Sequence, residues 1–104
     1  MNHEVATDHV ILNVHMQAAP GYQDEVAEQL LALLAPTRAE TGCVIYNLHR
    51  DPQDPAKFMF YEEFVSQAAL DAHGETPHLQ QFRQYRQAFP GRITSTATKW
   101  RTIA

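Results

Sequence analysis

The chain has 104 residues, 44% of them hydrophobic and 19% charged, with a net charge of −4. That length suits one domain and is too short for two, and the composition is that of a folded globular protein. The acidic balance argues against nucleic acid as a partner, which needs a basic footprint, and no apolar run approaches the roughly 18 residues that would make the membrane one.

Residues 1–8 read as a flexible N-terminal arm with neither the basic start nor the apolar core of a signal peptide. Cys43 is the only cysteine, so no internal disulfide can form and a cytoplasmic location is expected. Placed beside Gly42 at a strand start, it reads as a small buried hydrophobe.

His9 to Met16 is predicted as the first strand, with Val10, Leu12, Val14 and Met16 on one face and Ile11, Asn13 and His15 on the other. Pro20-Gly21 turns the chain. Tyr22 to Ala35 has the spacing of an amphipathic helix, with Asp24, Glu25 and Glu28 early, and Pro36 ends or kinks it. Cys43 to Arg50 is the second strand, the doubly Pro-broken stretch 51–56 a loop, and Lys57 to Val65 the third strand, so strands two and three are predicted as an antiparallel hairpin. Ser66 is a fitting N-cap for the next helix. Gly74 weakens that helix, and Thr76-Pro77 restarts it. The restarted piece runs to Phe89 with Leu79, Phe82, Tyr85 and Phe89 expected in the core, and Arg92 to Ile103 is the last strand.

The order β-α-β-β-α-β is the pattern of the α+β ferredoxin-like fold, a four-stranded antiparallel sheet with both helices on one face. The third strand is apolar on both faces, with Met59, Tyr61, Glu63 and Val65 on its second side. A large bare apolar sheet face is not tolerated in a soluble monomer, so a homodimer packed sheet to sheet is expected.

The segments Thr41 to Tyr46, His49 to Pro52, Phe60 to Phe64, Ala68 to His73 and Thr76 to His78, together with the turn at Pro20-Gly21, resemble the antibiotic biosynthesis monooxygenase domain family. The resemblance covers residues 9–103 as a single domain and implies the dimeric α+β barrel fold. It also implies a spread of activities: cofactor-independent oxidation of polycyclic phenols and quinols, isomerisation of a sugar-phosphate-like signal molecule, and haem degradation. In the phenol-oxidising and haem-degrading relatives an Asn on the first strand anchors a substrate oxygen, and Asn13 is the matching position. Where many members carry Trp, this chain has Phe64, which removes an indole donor and leaves a pocket wall.

His73 is the leading candidate for proton transfer. An imidazole titrates near about 6.5, and Leu70 and His73 share a helix face, so a core-facing Leu70 would bring His73 toward Glu62. Glu62 shares a strand face with Phe58, Phe60 and Phe64, surroundings that raise a carboxyl pKa unless it is paired. The bland alternatives are a helix-end histidine, a buried ion pair at Glu62 and a backbone-bonded amide at Asn13. His78, just after Pro77, is a second candidate for substrate contact. His73 and His78 are five apart rather than the four usual for a helical zinc pair, and no dinucleotide or phosphate loop is present, so neither a metal nor a cofactor is expected. On strand two Asn47 and His49 share one face and Tyr46 takes the other, without a sign of which faces the pocket.

The expected function is oxidation of a small phenol or quinol by dioxygen in a pocket between sheet and helices. His73 and Glu62 would move the proton, Asn13 would hold the oxygen, and Phe58, Phe60 and Phe64 would exclude water. The alternatives are an acid-base isomerase of a small hydroxyketone, drawing on Lys57, Arg83 or Arg86 if the substrate is phosphorylated, and a non-enzymatic binding module for an aromatic ligand.

Overall fold

In the computed structural model the described residues are 7–104, so the expected N-terminal arm lies outside them except for Thr7 and Asp8. The elements are β1 (Val10–Ala18), α1 (Gln23–Leu31), α2 (Leu34–Arg38), β2 (Cys43–Asp51), β3 (Asp54–Phe64), α3 (Gln67–Gly74), α4 (Pro77–Ala88) and β4 (Ile93–Arg101). The four strands form one antiparallel sheet in the order β2-β3-β1-β4, the ferredoxin-like α+β arrangement.

Local chemistry explains most boundaries. Gly21, at φ 84°, makes the turn after β1. Pro36 has no amide to offer the Ala32 carbonyl, so the first helical stretch breaks at Ala32-Leu33 and resumes as α2 with Pro36 inside its first turn. Ser66 Oγ accepts from the Ala69 amide at 3.1 Å, and Thr76 Oγ1 from the Leu79 amide at 3.4 Å, with Pro77 opening α4.

Two expectations need correction. The loop between β2 and β3 shrinks to Pro52 and Gln53, because the two strands pair out to Asp51 and Asp54, whereas β1 pairs with β3 only from Lys57 onward. Pro55 therefore sits where β3 has no neighbour on the β1 side, and its missing amide is not needed. Phe89 is exposed rather than buried: α4 stops at Ala88, and the Arg92 guanidinium lies 3.9 Å from the Phe89 ring centroid.

The core lies between the sheet and the helices. Val26, Leu30 and Leu33 pack there with Tyr46, Phe58, Phe60, Phe64 and Phe82. The opposite sheet face carries Ile11, Asn13, Tyr61 and Glu63, with Trp100 exposed on β4. No helix among the described residues is long and apolar enough to cross a membrane.

Candidate functional site

A cavity of about 260 Å³ opens between the sheet and α4. Leu12, Val14 and Met16 line it from β1, Tyr46 from β2, Phe60 and Glu62 from β3, and His73, Leu79, Phe82, Arg83 and Arg86 from the helices. Strand register explains the set. Leu12 pairs with Glu62 and Val14 with Phe60 across β1 and β3, while Tyr46 pairs with Glu62 across β2 and β3. Partners in register project to the same face, so all of these point to the helices.

His73, near the end of α3, is buried and enters this cavity. Its Nδ1 donates to Glu40 Oε2 at 2.8 Å, not to Glu62. His78 Nε2 donates to the same oxygen at 2.7 Å. A carboxylate oxygen only accepts, so this bond puts a proton on His73 Nδ1, and in the neutral ring the lone pair then lies on Nε2. The ring is wedged by Phe64 at 4.8 Å and Tyr46 at 5.6 Å between centroids. Thr76 Oγ1 donates to the His73 carbonyl at 2.7 Å, closing the chain between α3 and α4 around it.

Glu62 is buried, and burial, with the Glu40 charge second, pushes its pKa up to about 7. Near neutrality it is thus divided between acid and carboxylate. Burial raises the Tyr46 hydroxyl and Glu62 adds to this, so that phenol stays protonated. Burial also raises the Cys43 thiol, helped by Glu40 and Glu62, which fits an unreactive thiol at the start of β2.

Other expected site residues fall elsewhere. Asn13 lies on the opposite sheet face, paired with Tyr61 and Thr98, because Leu12 and Val14 already face the helices. It does not share the cavity with Glu62 and His73. Phe60 alone of the three phenylalanines lines the cavity. Phe64 is fully buried beneath His73, and Phe58 sits toward the far end of β3 under the Arg50 guanidinium at 4.7 Å. His78 meets Glu40 rather than lining the cavity. On β2 it is Tyr46 that faces the cavity, while Asn47 and His49 are exposed.

Glu40 is not singled out by the sequence as a site residue, and Tyr46 is named there only as one of two possible faces of strand two. The signal for Glu40 was the hairpin itself. An antiparallel β2–β3 pair must bring the approach to β2 beside the exit from β3, and here Cys43 pairs with Phe64 while the Val65 amide donates to the Gly42 carbonyl at 2.9 Å.

Glu40, His73 and His78 also present three ligand atoms of metal-binding type within 4.8 Å of one another. Tetrahedral zinc bonds of about 2.0–2.1 Å would hold ligand atoms roughly 3.3 Å apart. The observed 2.7 and 2.8 Å contacts are hydrogen bonds to one shared oxygen.

The chain is similar over nearly its whole length to the solved structure of PA3566 from Pseudomonas aeruginosa, with 31% identity, a TM-score of 0.86, and coverage of 97% of this chain and 100% of that one. It is 31% identical over 77 residues to Rv0793 of Mycobacterium tuberculosis, 74% of this chain and 75% of that protein. It is 29% identical over 77 residues to sll1783 of Synechocystis, again 74% of this chain, and there the match spans about half of the relative, 52%. The family model for antibiotic biosynthesis monooxygenase matches residues 9–85, which include Glu40, Tyr46, Glu62, His73 and His78, and the chain belongs to that family.

Proposed function

We propose that the protein is a cofactor-independent monooxygenase that oxidises a small phenol or quinol with dioxygen in the cavity beneath α4. The observation that carries this reading is the Glu40–His73 hydrogen bond, which in the neutral ring makes Nε2 the basic nitrogen of a residue that lines the same largely apolar cavity as Glu62. The family's name, with its monooxygenase activity, adds support.

The chemistry follows from the residues present. His73 Nε2 takes the phenolic proton, and Glu40 steadies the imidazolium that results. The phenolate is electron-rich enough to reduce dioxygen itself. One oxygen atom bonds to a ring carbon that carries hydrogen, para to the hydroxyl in a phenol, where it ends as a carbonyl, and ortho in a quinol, where it ends as the hydroxyl of a hydroxyquinone. The other leaves as water, carrying the phenolic proton and the ring proton. The ring loses four electrons in passing from phenol to quinone, and dioxygen gains four. Glu62 in its acid form can donate to the departing oxygen, and Leu12, Val14, Phe60, Leu79 and Phe82 keep bulk water away. Asn13, on the far face, has no part in these steps.

The uncovered sheet face supports a homodimer. Met59, Tyr61 and Trp100 lie there only partly covered, with both helical layers on the other side. A lone cysteine with a raised thiol pKa accords with a reducing, cytoplasmic setting.

The test is oxygen uptake with a panel of hydroxynaphthalenes and quinols. Quinone formation with matching oxygen consumption, lost in His73→Ala, is the expected result. No uptake with any of them overturns the assignment. Turnover that continues without oxygen would mark an acid-base isomerase, and ligand-induced stabilisation with no product would mark a binding module.

A further inference from the structure

The cavity has two chemically different ends. Glu62 and His73 mark one, level with Leu12 of β1. Arg86 marks the other, level with the Met16–Ser95 pair, four residues and therefore roughly 13 Å along β1. Arg83, three residues earlier on α4, shares the cavity-facing side of that helix. The wall between is apolar.

Both arginines are held in place by neutral groups. Arg83 Nη2 donates to the Gly74 carbonyl at 2.6 Å. Arg86 Nη1 donates to Ser95 Oγ at 3.1 Å, and its Nη2 to the Ile93 carbonyl at 3.2 Å, so this side chain spans from α4 to β4. These acceptors fix geometry without cancelling charge. Among the described residues neither guanidinium forms a salt bridge, whereas Arg92 is paired with Glu25 at 2.8 Å. Arg86, half-buried, and Arg83, exposed at the rim, are two positioned cations without an acidic partner at one end of a largely apolar cavity, an arrangement suited to an anion that arrives with the ligand.

We infer that the arginine end selects substrates carrying an anionic oxygen group, so that the preferred ligand is a phenol or quinol whose ring bears a carboxylate or phosphate remote from the reacting hydroxyl. This rests on the phenol-oxidising reading of the same cavity. The anion meets Arg86 and Arg83, the ring fills the apolar middle, and the hydroxyl reaches His73. The arginines are positioning residues in this account and take no part in proton transfer.

Calorimetric titration with three matched ligands tests it: a hydroxynaphthalene, the corresponding hydroxynaphthoate, and the corresponding hydroxynaphthyl phosphate, at one pH and ionic strength. An anionic member should bind roughly ten- to a hundredfold more tightly than the uncharged one, the range for hydrogen bonds to a charged group. Which of the two binds more tightly identifies the group. The preference should shrink in Arg83→Gln and in Arg86→Gln, and largely survive in Arg86→Lys, which keeps the charge and guards against loss of the α4–β4 tie. Equal affinity for charged and uncharged ligands, or an undiminished preference in the Arg83→Gln/Arg86→Gln double variant, overturns the inference and leaves the phenol reading standing. Failure of all three ligands to bind the wild type overturns the phenol reading together with it.

Discussion

Glu40 and His73 are 33 residues apart in the chain and 2.8 Å apart in the fold. One comes from the turn before β2, the other from the last turns of α3. In the neutral ring their hydrogen bond assigns the proton to Nδ1, and the proposed oxidation draws on the other nitrogen. His73→Ala should lower the oxidation rate by roughly 10²–10⁴. Glu40→Gln should move it the same way, with kcat falling and KM nearly held, since in the proposed reaction the substrate meets His73 and not Glu40. Steady-state oxygen uptake reads both. A fall in KM affinity with kcat intact would assign Glu40 to binding instead.

Much of the architecture is legible in the sequence, and the site only partly so. Caps and breakers act locally, so Ser66, Thr76-Pro77 and Pro36 announce their elements. The face of β1 is another matter. Both of its faces carry apolar residues, so alternation separates Leu12 from Asn13 without saying which meets the helices. Only the pairing of Leu12 with Glu62 answers that, and it sends Asn13 to the other side. Glu40 stayed hidden for the same reason: its partners are set by long-range register rather than by spacing.

Glu62 gives a pH dependence with a definite sign. Its folded pKa of about 7 lies above the ordinary carboxyl value of 4.5, so the folded state binds this proton more tightly than the unfolded chain does. Its ionisation therefore opposes folding. The penalty is absent below about pH 4.5, grows through the window, and is complete above pH 7, reaching on the order of 3 kcal/mol. Glu62→Gln should thus gain stability relative to wild type as pH rises from 4 to 8, read as the difference between their Tm curves. A difference that is flat with pH would show that the carboxyl titrates normally.

Gly42 is a steric requirement for the site. A Cβ there would lie 2.4 Å from the Ala69 Cβ on α3. Gly42→Ala should cost about 1–3 kcal/mol in denaturant unfolding and should also disturb His73, because α3 must shift. Ala69→Gly should restore much of the loss when combined with it, since the clash is between those two groups. Simple additivity of the two changes would show that another contact is responsible.

The proposed sheet-to-sheet dimer can be broken from β4. Trp100 is 59% exposed on the outer face and pairs with Ile11. Trp100→Glu should halve the mass found by light scattering while leaving the far-UV spectrum unchanged. An unaltered mass would place the interface elsewhere.

The β2–β3 hairpin has one end that can be altered and one that cannot. Pro52 and Gln53 are exposed at its tip, and the 11 residues of β3, at roughly 3.3 Å each, separate that tip from Glu62 and Phe64 by more than about 25 Å. A peptide tag or fluorescent reporter spliced at the tip should leave the cavity intact. At the opposite end, one added residue between Phe64 and Ser66 would displace α3 relative to Glu40, and a one-residue slip of β3 would turn Glu62 out to the other face. For labelling or immobilisation, the tip is therefore the attachment point and the Glu40–Ser66 end is to be left as it is.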